Sequence, residues 1–227
     1  MMEDPLADKV FRYERKFVVP YSKEEAEVVI KNNPFIFEEI YYERRINNLY
    51  FDSLEMHNYF DNVLGNSDRT KIRVRWYGDT PVAKNPTLEL KIRRGLMGTK
   101  LSYQLADFSL GGVDLDEMNA LFSNASLPEW LGEKLKHQRF ALYNTYQRKY
   151  FLSACKKFRL TIDFGLEFAG VVQQNPLALF DRRSEPHVIV ELKYAKECDA
   201  ERLTTYFPFR MTKSSKYVAG INLFRGA

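Results

Sequence analysis

Strands that carry charges on one face and apolar residues on the other are the feature that most constrains this chain. In the segment 87–94, TLELKIRR, one face of an extended backbone carries three aliphatic side chains and the other carries three full charges. Similar alternation recurs along the chain and predicts about eight strands. The predicted strands are residues 11–19, 46–51, 70–77, 87–94, 100–107, 143–152, 158–164 and 187–194.

Helical patterns lie between these strands. Residues 22–25, Ser-Lys-Glu-Glu, have the form of a capping box ahead of an apolar run. Strands interleaved with helices predict an α+β fold. Residues 167–186 fit either a loop or a pair of short strands, and both readings stay open. The remaining predicted helices are 53–64, 114–123, 128–138, 198–206 and one that starts near Ser214.

Composition sets the class of protein. With 45% hydrophobic residues among 227, the chain can form a sizeable core without disulfides, and its two cysteines lie in no metal or redox motif. We find no linker and no apolar run of about 18 residues, so we expect one cytoplasmic domain over residues 1–227 and no integral membrane segment. Any membrane-associated partner stays unknown. The net charge of +4 identifies no partner by itself.

The charged stripes of the strands share one composition, in which cations exceed carboxylates. Two arrangements fit them: an open sheet whose charged face meets water, or a closed antiparallel eight-stranded barrel whose charged lumen is covered by helices packed outside. Recurrent Glu-x-Lys pairs favour the barrel, because a solvent face normally mixes in more uncharged polar residues. The candidate lumen cations are Lys16, Arg73, Arg75, Lys91, Arg93, Arg148, Arg159 and Lys193, and the candidate carboxylates are Glu14, Glu89, Asp163 and Glu191.

An excess of four positive charges in one lumen predicts a polyanionic ligand. The planar guanidinium groups of Arg73, Arg75 and Arg148 suit bidentate phosphate contacts. Carboxylates would repel phosphate unless a divalent ion lies between them, so Mg²⁺ or Mn²⁺ is expected, with Glu191 as the first ligand. An ordinary salt bridge to a neighbouring cation is the alternative role for each glutamate. Aromatic residues lie mostly on apolar faces, so nucleic acid is not expected as a partner.

Eight short motifs, in order along the chain, resemble the vacuolar transporter chaperone (VTC) polyphosphate polymerase domain. That domain belongs to the triphosphate tunnel metalloenzymes, with CYTH phosphatases and thiamine triphosphatase as relatives. The resemblance covers about residues 11–222 and implies an eight-stranded triphosphate tunnel. The motifs are RYERKF, YFDS, KIRVRWYG, LELK, YQRKYF, RLTIDF, VELKY and KSSKYVAGI.

The resemblance implies roles for individual residues. Glu191 would bind the metal, with Glu14 and Glu89 as supports, while Arg159 stays a phosphate candidate from its strand position alone. Ser214 lies at the expected helix start, where free N–H groups favour phosphate. The phosphate contacts implied are Lys16, Arg73, Arg75, Lys91, Arg148, Lys193, Lys213 and Lys216.

One departure bears on the activity. Hydrolytic relatives open with Glu-x-Glu-x-Lys, whereas Arg12 replaces the first glutamate here. The expected activity is therefore metal-dependent transfer of the terminal phosphoryl group of ATP to a polyphosphate chain. Hydrolysis of tripolyphosphate or thiamine triphosphate and non-catalytic binding of polyphosphate or nucleotide are the alternatives. The expected catalytic residues are Arg73, Arg75, Lys91, Arg148 and Lys193.

Overall fold

A nine-stranded antiparallel sheet organises the structure. The computed structural model describes residues 6–7, 9–79, 82–171, 181–195 and 200–225. In chain order the elements are β1 (Arg12–Val19), α1 (Lys23–Lys31), β2 (Phe37–Asp52), α2 (His57–Leu64), β3 (Asp68–Tyr77), β4 (Val82–Ala83), β5 (Thr87–Arg94), β6 (Met97–Gln104), β7 (Phe108–Ser109), α3 (Leu115–Ser123), α4 (Glu129–Lys136), β8 (Arg139–Ser153), β9 (Phe158–Ala169), β10 (Arg182–Glu185), β11 (Val188–Tyr194), α5 (Ala200–Thr204) and α6 (Lys216–Arg225).

The order of the strands brings distant parts of the chain together. Neighbours in the large sheet run β10-β9-β11-β1-β6-β5-β3-β2-β8, and β8 pairs in addition with β9. The series of hydrogen-bonded pairs therefore passes through eight strands and returns to β9. Strands β4 and β7 form a separate two-stranded sheet. All pairings are antiparallel, as the alternating pattern predicts.

The sheet separates charges from apolar side chains, as the sequence predicts. We call the side that bears Glu14, Arg73, Glu89, Arg148 and Glu191 the charged face, and the other side the apolar face. Helices α3 and α4 pack over strands β2, β3, β5 and β6 on the apolar face, whereas α1 packs over β9 and β11. Fully buried apolar-face residues include Ile72, Val74, Trp76, Leu88, Leu160, Ile162 and Val190.

Helix α6 departs from the expectation that all helices lie outside, because it packs against the charged-face side. Tyr217 and Ile221 join an apolar cluster with inward residues of β2, β8 and β9. Gly165, with a φ of +58°, lies where β9 changes register against β8, and beyond it Phe168 packs against this helix. A side chain at Gly220 would overlap Phe168, so glycine permits the close approach.

The sequence does not predict the first half of β2, residues 37–45, as a strand. Most of these residues are exposed, and two register shifts interrupt the alternation. The open question over residues 167–186 resolves partly, since β9 continues to Ala169 and β10 follows; residues 172–180 lie outside the described residues. Residues 198–206 contain the shorter α5, and the last helix begins at Lys216. None of the described helices has the length and hydropathy needed to cross a membrane.

Candidate functional site

Glu89 anchors the first group of charges, on β3, β5 and β6. The carboxylate is 3% exposed, and its Oε2 accepts hydrogen bonds from Nε and Nη2 of Arg73 at 2.9 and 2.7 Å. Lys100 donates to Oε1 at 2.5 Å, and Arg75 Nη1 lies 3.7 Å from Oε2. Burial would raise the pKa of Glu89, but Arg73 and Arg75 hold it well below its usual value.

Uncharged partners fix the two arginines. Arg75 donates from Nε to Asn48 Oδ1 at 2.9 Å and from Nη2 to the Tyr146 hydroxyl at 3.3 Å. Arg73 donates to the Tyr50 hydroxyl at 3.3 Å. Because β2 and β8 supply these acceptors, each guanidinium plane is held in place before any ligand arrives.

Asp163 and Glu191 form a second group with the cations of β8 and α6. Arg148 donates from Nε and Nη2 to Asp163 and from Nη2 to Glu191 Oε2, the last at 3.2 Å. Lys216 contacts both carboxylates. Burial would raise the pKa of Glu191, but Lys16, Lys216 and Arg148 keep it well below its usual value. All the charges in this group are buried.

Two lysines near β1 have charges that protein carboxylates offset less completely. Lys91 donates to Glu14 Oε2 at 2.7 Å, and burial lowers its pKa to about 8 because Glu14 offsets only part of that effect. Lys71 donates to Ser215 Oγ at 2.8 Å, and among the described residues no carboxylate lies within ion-pair distance of it. Burial, followed by the charges of Lys91 and Lys16, holds the pKa of Lys71 well below its usual value.

The charged face is therefore electropositive. Among the described residues of this face, eight cations lie in ion-pair contact with four carboxylates, and Lys71 is a ninth cation, so the positive charges exceed the carboxylates by five when all are ionised. Such a surface is costly to bury unless a polyanion completes it. The eight paired cations are Lys16, Arg73, Arg75, Lys91, Lys100, Arg148, Lys193 and Lys216.

Most of the predicted site residues come together here, and four do not. Arg159 and Lys213 are exposed, and Ser214 precedes the helix by two residues. Arg93 donates to the Gly95 carbonyl and has no ion pair among the described residues. Ser215 occupies the helix start instead, where its Oγ accepts from Val218 N at 3.4 Å. The residues brought together are Lys16, Arg73, Arg75, Lys91, Arg148, Lys193, Lys216, Glu14, Glu89 and Glu191.

Sequence reasoning missed Lys71, Lys100 and Ser215 as site residues. Lys71, Arg73 and Arg75 are alternate residues of β3 and point to the same face, so the alternation in the sequence is enough to identify Lys71 as a site residue. Lys100 is the cross-strand partner of Lys91, a relation that only the register of β5 and β6 reveals. Ser215 can be identified only when the true start of α6 is known.

The carboxylates differ in their ability to bind a metal. Both oxygens of Glu89 contact cations, and so do both oxygens of Glu191, whereas among the described residues Glu14 Oε1 is buried without a hydrogen-bond partner. Lys16 Nζ lies 3.0 Å from Glu191 and 3.9 Å from Glu14, so these two carboxylates flank one amine. Within the described ranges, no three His, Cys, Asp or Glu side chains could hold an ion together. The donor set fits a hard ion that takes its other ligands from phosphate and water.

Comparison with known proteins gives a family match and distant structural similarities. The VTC domain profile matches residues 11–225, whereas no curated protein sequence matches. A Hippeastrum protein whose description names adenylyl cyclase and a dominant triphosphatase activity is 13% identical, with a TM-score of 0.54 over 95% of each chain.

Two further solved structures show lower scores. A Vibrio parahaemolyticus protein described with the words adenylate cyclase is 12% identical, with a TM-score of 0.49 over 91% of this chain and 95% of that chain. The PH1819 protein of Pyrococcus horikoshii is also 12% identical, with a TM-score of 0.48 over 94% and 99%. At these identities the similarity concerns the fold alone.

Proposed function

Because this chain belongs to the VTC domain family, we propose that its eight paired strands close into a tunnel that binds ATP and polyphosphate. The tunnel domain would comprise residues 1–227, with its core over about 11–222, and would act in the cytoplasm. The reaction is transfer of the terminal phosphoryl group of ATP to the end of a polyphosphate chain.

The unbalanced cluster of cations carries this proposal. Lys71 and Lys91 are positioned beside Lys16, so burial and mutual repulsion both disfavour their charged forms until an anion binds. A single phosphate would neutralise only part of the excess. A chain of several phosphates spread over β1, β3, β5 and β8 would neutralise it along its whole length.

The chemistry requires no protein nucleophile. The bond between the γ-phosphorus and its bridging oxygen breaks while a terminal oxygen of the acceptor chain bonds to the same phosphorus, and ADP leaves with the bridging oxygen. Arg73 and Arg75, held by Glu89, Asn48 and Tyr50, would place their N–H groups against equatorial oxygens and stabilise the transition-state charge. The cations of the other strands would align donor and acceptor. Those further cations are Lys16, Lys91, Arg148, Lys193 and Lys216.

Glu14, whose Oε1 has no hydrogen-bond partner among the described residues, would be the main ligand of Mg²⁺ or Mn²⁺, and Glu191 would join it once the ion displaces Lys16. When bound, the ion neutralises phosphate oxygens. Glu89 would instead orient the arginines, because both its oxygens are already occupied. Glu14→Gln should therefore weaken Mn²⁺ binding, which can be measured from the electron paramagnetic resonance signal of free Mn²⁺. Glu89→Gln should leave Mn²⁺ binding unchanged, provided that the variant is shown to be folded. Equal weakening in both variants would contradict this assignment.

Hydrolysis is a second candidate, because the fold is shared with the Hippeastrum protein described as a triphosphatase. Incubation with ATP and Mn²⁺ tests both activities, with long-chain polyphosphate followed on a gel and free phosphate measured in parallel. Chain growth supports the polymerase. Free phosphate without chain growth supports the hydrolase, and calorimetric binding without turnover supports a binding module.

A further inference from the structure

Arg44 lies among three tyrosine rings on the charged face, opposite Arg148 on the neighbouring strand. Its guanidinium carbon is 4.8 Å from the ring centroid of Tyr41, 5.6 Å from that of Tyr150 and 5.7 Å from that of Tyr77. The rings of Tyr41 and Tyr150 meet edge to face, with centroids 5.6 Å apart. We call these four residues the tyrosine–arginine cluster.

The cluster is continuous with the phosphate-binding cations of the proposed site. Arg44 is the cross-strand partner of Arg148, and Tyr41 is that of Tyr150. Tyr77 follows Arg75 by two residues on β3, so it points to the same face. A ligand whose phosphates contact Arg75 and Arg148 would therefore reach the cluster with its next chemical group.

The contacts of Arg44 differ from those of an ordinary surface arginine. The adjacent Arg45 lies 3.6 Å from a carboxylate oxygen of Asp79, whereas among the described residues no carboxylate lies within ion-pair distance of Arg44. Tyr41 and Tyr77 remain 51% and 46% exposed. The buried hydroxyl of Tyr150 has no hydrogen-bond partner within the described part of the chain. The cluster thus combines two partly exposed rings and a planar cation with a buried hydroxyl that has no partner among the described residues.

These groups suit a planar, uncharged ring better than another phosphate. Aromatic faces carry negative electrostatic potential, so three rings around one guanidinium weaken its attraction for an anion. A nucleobase, in contrast, stacks on tyrosine and on guanidinium planes and offers polar edges to a hydroxyl. We propose that the tyrosine–arginine cluster binds the base of a nucleoside triphosphate whose phosphates lie on the charged face. This inference rests on the proposed function. It explains how the protein would distinguish a nucleotide phosphoryl donor from an inorganic polyphosphate chain.

Calorimetric titration with ATP and with tripolyphosphate, at one fixed Mg²⁺ concentration, tests the proposal. Tyr41→Ala and Tyr77→Ala should each bind ATP roughly 5- to 150-fold more weakly, the range expected for losing one base–aromatic contact. Their affinity for tripolyphosphate should be unchanged. Tyr42→Ala is the matched control, because Tyr42 is 93% exposed and should change neither affinity.

Tyr41→Leu keeps apolar volume without an aromatic ring, and it should reproduce the loss of ATP affinity if the alanine variant is unstable. Loss of both affinities to the same extent would overturn the base site in favour of a phosphate contact. Unchanged ATP affinity in every folded variant would also overturn it. Failure of the wild-type protein to bind tripolyphosphate would instead overturn the proposed function, and this inference with it.

Discussion

Two regions of the charged face use buried cations in opposite ways. Around Asp163 and Glu191, burial would lower the pKa of Lys216, but the two carboxylates raise it instead. Around Lys71 and Lys91, burial lowers the pKa of both lysines, and neighbouring cations add to the effect. In the first region protein carboxylates offset the buried cations, whereas in the second region they do so only in part, and an anionic ligand would supply the missing charge.

This difference predicts which region contributes more to the stability of the fold and which contributes more to anion binding. The Asp163 region joins β8, β9, β11 and α6 through charge pairs, so its loss should affect folding first. The Lys71 region contains fewer charge pairs, since Lys91 pairs with Glu14 and Lys71 has no carboxylate partner among the described residues, so its loss should affect binding first. The predictions below test this division, from the largest expected effect to the smallest.

Asp163→Asn should produce the largest change. Asp163 is fully buried and pairs with both Arg148 and Lys216, so its neutralisation leaves buried cations short of a partner. We expect a loss of about 3–5 kcal/mol in the free energy of unfolding, measured by urea denaturation.

Glu133→Gln provides the control for that measurement. Glu133 pairs with Lys136 at 2.6 Å on the surface of α4, and exposed pairs contribute less than about 1 kcal/mol. Similar losses in both variants would show that the Asp163 region has no special part in holding the fold.

Arg75→Gln should mainly reduce binding. Arg75 shares Glu89 with Arg73 and Lys100, so the carboxylate stays paired in the variant. A charge-assisted hydrogen bond contributes roughly 1.5–3 kcal/mol, and we expect the binding free energy of tripolyphosphate to weaken by that amount. Calorimetry with exposed Arg94→Gln as the control measures it; equal affinities would remove Arg75 from the site.

The alternation of side chains between the two faces of a strand explains how much of this candidate site the sequence could predict. On β3 and β5 the alternation of charges is uninterrupted, so Arg73, Arg75, Glu89 and Lys91 could be assigned to one face. The same signal identified the apolar face, because those residues pack under helices. A regular repeat with one buried side is the pattern that a sequence reports most directly.

The parts that sequence reasoning missed depend on tertiary register. The position of α6 on the charged-face side follows from its fit against Leu142 and Phe168, and neither residue shows this in its own segment. The N-terminal half of β2 is exposed on both faces and contains register shifts, so it has no period to detect. Arg44 and its three tyrosines come from three strands and meet only in the folded sheet.

Lys71→Met should weaken binding without destabilising the protein. Because the pKa of Lys71 lies well below its usual value of 10.5, the unfolded chain binds this proton more tightly than the folded chain does. Removing the amine at pH 7 should therefore leave the free energy of unfolding unchanged or increase it. Tripolyphosphate affinity should fall by roughly tenfold, within the range for one charged contact. A clear loss of stability would place Lys71 with the fold-holding residues.

The smallest expected effect is a proton taken up when the anion binds. A phosphate beside Lys71 would raise the pKa of that amine, so binding between its lowered pKa and 10.5 should protonate it. The contribution of Lys71 to affinity is fully present below the lowered pKa that this amine has in the free protein. It is lost as pH rises through the higher pKa that the amine has in the complex. Calorimetric titration at pH 9 in two buffers with different ionisation enthalpies measures the number of protons. Lys71→Met should bind measurably fewer protons than the wild-type protein, whereas Lys84→Met, at an exposed lysine paired with Asp107, should match the wild type. Equal uptake by all three proteins would show that the anion does not approach Lys71, and the contrast between the two regions would then rest on Lys91 alone.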